Sequence, residues 1–378
     1  MKSALSEISV HKKLTRAGKS IPIFRVDSLS RYCDLTDLIR QLWSKKARDR
    51  FAGPKGYVGE ILPWFRGSRN ANHTLTPSLA RDWKRYYKLY DQIYDLEEYY
   101  YDRFTRFGRP FLGNTLPNDE IEWNYIMRHH SIPSRLLDWT KGSLIALSYA
   151  TQVFSEDLES LTRFMSLRNK LPTNNTIETE RDCNQLPDTD AVVWMMEPRR
   201  LMEVATKCLY AQPIRNIASR RKKIRAMRRD FFKDRQQLEG RPNDQKLSNP
   251  DLWDNEDYWR YPLPLIPSHI SARVGSHLSR FTLHSLSSYV DKTISVPPDS
   301  DSSLEGFAQT AFNEKGDGFW YLVKIELPAD RLHTIARVLR MTGVADMNLT
   351  QDLDGLSREL KLRAALGFLD DKEEGDST

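Results

Sequence analysis

Residues 128–140 read Arg-His-His-Ser-Ile-Pro-Ser-Arg-Leu-Leu-Asp-Trp-Thr, and the apolar run 142–150 follows at once. Imidazoles, guanidiniums, a carboxylate, an indole and a hydroxyl thus crowd one segment that Pro133 bends. Polar groups at that density, held against a hydrophobic element, suit a pre-formed ligand pocket. A second fragment, Trp64-Phe65-Arg66-Gly67-Ser68, sets an arginine at the end of a predicted buried strand, just before a glycine. A planar guanidinium there can grip a diphosphate or carboxylate bidentately, and Gly67 lets a ligand or a backbone come close. Arg66 can equally be the structural partner of a buried acid such as Asp138.

The neighbouring groups also carry two readings each. His129, at a helix end, can donate to a ribose hydroxyl or act as acid or base near neutral pH; it can also be a core histidine bonded to a carbonyl. His130 reads as packing. Arg135 and Asp138 lie three apart and can pair with each other, while Trp139 offers a stacking face for a flat ring. Thr140 either turns its hydroxyl into a pocket or caps the helix that follows.

The elements that must position these groups follow from hydrophobic periodicity and from turn residues. Residues 1–50 read as a polar lead-in with a short helix over 35–46. A buried strand is predicted over 61–66, bounded by Gly59 and Gly67. The recurrence of Leu79, Trp83, Tyr86, Tyr87, Tyr90, Ile93 and Tyr94 predicts helix across 77–107. Another helix starts at Asp119 and cannot pass Pro133. The bend 128–140 then leads into a buried helix over 143–154, apolar nearly all round.

Further on, 191–196 reads as a fully buried strand, and a long cationic helix starts at Thr206 or Ala211 and runs to Arg235. Strands are expected over 281–284 and 319–327. Pro328 opens a helix that Gly343 ends, and a last helix covers 351–366. Short strands far apart in sequence make this an α+β fold: mixed or antiparallel strands around a ligand cleft, with flanking helices and helical insertions. The expected organisation is a lead-in over 1–50, a domain over 51–366 with insertions near 156–190 and 210–260, and an acidic disordered tail over 367–378.

Composition narrows the class. A chain of 378 residues can bury a full core. No apolar run approaches a membrane span, and the first twenty residues lack a signal-peptide stretch. Cys33, Cys183 and Cys208 are odd in number and scattered, which fits neither a disulfide framework nor a metal cluster. A reducing cytoplasm, no membrane and no metal are the expectations.

The net charge of +6 is local in origin. Residues 215–235 hold ten basic side chains against Asp230 and Asp234, a net of +8, whereas 370–378 hold five acids and one lysine, a net of −4; the remainder is +2. Arg220, Arg221, Lys222, Lys223, Arg225 and Arg228 are therefore candidate contacts to DNA or RNA phosphates. The plainer reading is a solvated helix face whose Ile217, Ile224, Met227 and Phe231 meet the core.

Phe65-Arg66-Gly67, the turn 129–140 and the Ala146 to Ala150 run together resemble the FRG domain family, named for its Phe-Arg-Gly triplet. Members read roughly His-Tyr-Gly-Leu-Pro-Thr-Arg-Leu-Leu-Asp-Trp-Thr in that turn. Segments 266–274, 281–284 and 352–356 resemble later family segments in the same order. The chain departs from the pattern at Ser131 (a family glycine), Ser134 (a threonine), His277 (a glutamine) and Ser279 (a glycine).

The order of segments is also similar to that of an ADP-ribosyltransferase. That resemblance implies NAD as substrate, with Arg66, His129, Asp138 and Thr140 as candidate catalytic residues. Gly67, Arg135, Trp139, Arg273 and His277 would then be candidate NAD-binding residues, and the acid that would steady a ribosyl cation has no obvious candidate. Such a chain suits a toxin of bacterial or phage conflict, with an inhibitory or sensor partner protein. The alternative is a nucleic-acid or nucleotide sensor that uses the same pocket without turnover.

Overall fold

The computed structural model describes residues 7–15, 20–50, 60–86, 88–90, 93–112, 116–117, 120–152, 189–210, 262–267, 278–284, 303–308, 320–344, 356–357 and 360. Within them the fold is α+β. Strands β1 (Ile23–Arg25), β2 (Trp64–Ser68), β3 (Leu136–Thr140), β4 (Ala191–Met196), β5 (Leu263–Leu265), β6 (Ser279–Leu283) and β7 (Leu322–Leu327) form one mixed sheet. Its order is β1-β7-β4-β2-β3-β6-β5. Only β1 and β7 run parallel; the other neighbours are antiparallel.

Among the described residues the α-helices are α1 (Glu7–Thr15), α2 (Leu29–Arg50), α3 (Ser78–Tyr86), α4 (Ile93–Gly108), α5 (Glu120–His129), α6 (Ser143–Ala150), α7 (Pro198–Tyr210) and α8 (Leu332–Met341). No helix among the described residues is long and apolar enough to cross a membrane.

Strand β4 shows why the core divides in two. All six of its residues are buried. Val192, Trp194 and Met196 enter one cluster with Trp64, Trp139 and Phe281, whereas Ala191, Val193 and Met195 enter another with Phe65, Trp43 and Trp320. A strand covered on both faces reads as a continuous apolar run, as this one does in sequence. The second cluster is tied by buried polar ends: Trp43 Nε1 donates to the Trp320 carbonyl at 2.8 Å, and the Tyr32 hydroxyl to that of Ser143 at 2.8 Å.

Several predicted boundaries move. Helix α2 starts well before 35, because Ser28 supplies an N-terminal cap: its hydroxyl and carbonyl accept from the amides of Arg31 and Tyr32. The helical run 77–107 divides into α3 and α4, with the Leu89 amide closing a turn on Tyr86. The predicted strand 61–66 is β2, shifted to Trp64–Ser68, so Arg66 sits at its centre rather than its end.

The larger correction concerns 128–140. The bend does not run straight into a helix; Leu136–Thr140 form β3, paired residue for residue with β6. Burial of Leu136, Leu137 and Trp139 on a five-residue ladder outweighs the local turn signals. As expected, Gly343 ends α8, at φ +84°. The cationic run 215–235, the last helix other than 356, 357 and 360, the acidic tail, and most of both insertions lie outside the described residues.

Candidate functional site

The centre of the sheet is also its weakest seam. β2 makes a five-residue ladder with β4, and β3 makes one with β6, yet β2 and β3 share only the pair Phe65↔Thr140. Past that pair a side chain takes the place of the ladder. Arg66 Nη1 donates to the main-chain oxygen of Asp138 and to its Oδ2, each at 2.8 Å.

Asp138 collects a second guanidinium from α5. Arg128 donates to Oδ1 through Nε and to Oδ2 through Nη2, the latter at 2.9 Å. Burial pushes the Asp138 carboxyl up, but Arg128 and then Arg66 outweigh it and hold the group well below the usual carboxylate range. In return Asp138 raises the Arg128 pKa. Arg128 Nη1 also donates to the Ser78 hydroxyl at 3.0 Å, and that hydroxyl accepts from the Ser134 amide at 3.2 Å. One serine thus ties the start of α3 to the end of α5 and the entry to β3.

The end of α5 owes its shape to backbone geometry. The Ile132 amide donates to the Met127 carbonyl and the Ser131 amide to that of Arg128, the paired bonds of a Schellman closure. Its left-handed residue is Ser131, at φ +63°. The family's glycine falls at this position, where a residue without Cβ relieves the strain.

Two further basic side chains stand at the rim, and sequence reasoning missed both. Arg81, one turn after Ser78 on α3, is solvent-exposed. Its guanidinium has no ion-pair partner among the described residues. Burial of part of the side chain lowers its pKa, and Arg66 and Arg128 lower it further. His73 is depressed by partial burial, then by Arg81 and Arg66; its Nδ1 lies 3.4 Å from the Ser68 hydroxyl. Three guanidiniums therefore crowd the Asp138 carboxylate, with Asp82 a further acid acting on Arg81. The helical i, i+3 spacing of Ser78 and Arg81 was the available signal, but it has meaning only once Ser78 is known to meet Arg128.

The other predicted residues separate. Gly67 admits a backbone rather than a ligand: a Cβ there would lie 1.9 Å from the Ala146 carbonyl oxygen. Trp139 is 3 % exposed and packed in the core, so its ring faces no open cleft. Its Nε1 donates to Thr282 Oγ1 at 3.1 Å, and that oxygen lies 3.0 Å from His284 Nε2. Burial, then the Arg66 charge, push the His284 pKa down to about 3.

Thr140 is buried, and its hydroxyl accepts from the Gly142 amide at 3.0 Å, which shapes the entry to α6. Arg135 does not pair with Asp138; it is buried and donates to both carboxylate oxygens of Glu97 on α4. His129 and His130 meet edge to face at 5.0 Å, and His130 lies against Phe104 at 6.2 Å. Arg273, His277 and the residues 220–228 lie outside the described residues.

The arrangement is a cationic seam at a point of sheet divergence, with one ionised carboxylate fixing two of three guanidiniums. A family model for the FRG domain matches residues 63–158, the stretch that contributes Arg66, His73, Arg81, Arg128 and Asp138. This part of the chain is an FRG domain. No curated protein and no solved structure matches the chain.

Proposed function

We propose that the FRG domain binds NAD through its diphosphate at the Arg66–Arg81–Arg128 seam and splits the nicotinamide–ribose bond. The observation that carries this reading is Arg81. Among the described residues it makes no ion pair, and two other guanidiniums crowd it while Asp138 and Asp82 only partly offset them. An anion placed among the three removes their mutual repulsion, and guanidiniums match phosphate oxygens in geometry as well as charge. Arg66 is reachable, since 18 % of its side chain meets solvent.

In the reaction the bond from ribose C1′ to the pyridinium nitrogen breaks, and its electron pair leaves on nicotinamide. A lone pair from water or an acceptor oxygen forms the new bond at C1′, and that oxygen loses its proton. Anchoring the diphosphate at the guanidiniums keeps the cationic ribosyl centre away from them. Both oxygens of Asp138 already accept from arginines, so its part is to position Arg66 and Arg128.

Calorimetric titration with NAD, together with chromatographic detection of nicotinamide in the presence of DNA, RNA or neither, tests the proposal. Expected are binding that weakens with salt, a loss of about tenfold or more in Arg81→Ala, and nicotinamide release abolished in Arg66→Ala. Binding without release under every acceptor would favour the sensor reading. Neither binding nor release would remove both.

A further inference from the structure

Helix α4 of the same domain has a second face that the seam does not use. Its inner face is settled: Ile93 and Leu96 are buried with Leu79 and Trp83, Glu97 pairs with Arg135, and Phe104 meets Trp123 edge-on at 6.3 Å. These contacts leave one flank of α4 and its C-terminal end to solvent. Tyr99 is 47 % exposed, Phe107 59 %, and Phe111, in the 3-10 turn Arg109–Phe111 that follows, 88 %. Arg103, Arg106 and Arg109 are exposed beside them.

Tyr99, Arg103 and Phe107 recur every fourth residue, so they line one side of the helix about 6 Å apart, drifting about 40° per step. The Arg103 guanidinium lies over the Tyr99 ring and that of Arg106 over the Phe107 ring, each 5.8 Å from the centroid. None of the three arginines has a carboxylate partner among the described residues. The exposed Arg31 and Arg331, by contrast, are each paired with a nearby aspartate. The exposed acids Asp95 and Glu98 lie in the N-terminal half of α4 and Asp102 just past its midpoint, so the cationic surface is confined to 103–111.

Uncompensated cations interleaved with exposed rings suit a polyanion that also offers flat faces. A duplex keeps its base faces inside the stack, so only unpaired bases can use such rings. An acidic polypeptide would satisfy the arginines and leave the rings without a stacking partner. We infer that α4 from Tyr99 onward and the 3-10 turn after it bind single-stranded nucleic acid, with phosphates on Arg103, Arg106 and Arg109 and bases stacked on Tyr99, Phe107 and Phe111. The surface stands independently of the NAD reading.

Fluorescence anisotropy on the full chain tests it, using labelled DNA and RNA single strands of about 12 nucleotides and the duplex of the same sequence. The run 215–235 brings ten basic residues of its own, so Phe107→Ala/Phe111→Ala is compared with Arg220→Glu/Arg221→Glu. The aromatic variant should lose about tenfold or more in single-strand affinity and keep duplex affinity within about twofold. Arg103→Glu/Arg106→Glu should weaken binding and flatten its salt dependence. Arg103, Arg106, Phe107 and Phe111 are solvent-facing, and an unchanged melting temperature in each variant confirms the fold. Unchanged single-strand affinity in the aromatic variant, or tighter binding of polyglutamate than of the oligonucleotides, overturns the inference.

Discussion

Arg66 reaches the main-chain oxygen and the side-chain Oδ2 of Asp138 with a single nitrogen, each contact at 2.8 Å. The pair stitches β2 to β3 where their ladder stops, so the arginine that would meet an anion is also part of the sheet. Binding and folding are therefore coupled at this position. A substitution there must be read for stability before it is read for activity.

Asp138→Asn should lower stability at neutral pH by about 2–3 kcal/mol. Removing one partner leaves Arg66 and Arg128 unsatisfied, but the partial exposure of Asp138 softens the loss relative to a fully buried pair. The folded pKa of Asp138 is depressed, so this stabilisation is complete above the unfolded value of about 3.9 and disappears as pH falls through the folded one. Urea melts of both proteins from pH 7 downward check this. A gap that persists undiminished in strong acid would show that the charge is not its source.

Ser131→Gly should stabilise the fold by about 0.5–1 kcal/mol. The Schellman closure of α5 holds a residue with a Cβ at φ +63°, and the relief of that strain exceeds the extra entropy that glycine loses on folding. Thermal melting should show a modest rise; a fall would mean that the serine side chain offsets its own strain.

Gly67→Ala should destabilise by about 3 kcal/mol or more, because backbone atoms of α6 cannot yield to the new methyl. The effect belongs to folding. Any NAD affinity measured in surviving native protein should match wild type, whereas a selective loss of affinity would place a ligand against Gly67 after all.

His284 sets a second pH window, above that of Asp138. Its folded pKa of about 3 lies below the ordinary imidazole value, so between about pH 6.5 and 4 the unfolded chain takes up a proton that the folded one refuses. Stability should decline there by roughly 1 kcal/mol per pH unit. In His284→Gln that slope should shrink to the smaller part that the depressed His73 contributes, as chemical denaturation at three or four pH values would reveal; an unaltered slope would assign the proton to another group.

Much of the local structure was legible. The six-residue apolar run of β4, the apolar helix α6 and the Pro328 and Gly343 signals about α8 all depend on neighbours in sequence. Their periodicity survives folding because both faces of β4 and the inner side of α6 meet apolar partners. β3 was not legible, because Leu136–Thr140 follows a proline turn and becomes a strand only when β6, more than 130 residues later, supplies the other edge.

The same distinction runs through the site. By itself the sequence determined the chemical inventory: Arg66 beside a glycine, a bend rich in ionisable groups, and a match to the FRG pattern strong enough to imply its fold. Tertiary structure alone decided the pairings. It gave Asp138 to Arg66 and Arg128, sent Arg135 to Glu97, turned Trp139 inward, and brought Arg81 and His73 to the rim. Charges choose partners by proximity and burial, and proximity between residues 66 and 138 is set by which strands lie side by side, a property of the whole sheet that no local spacing encodes.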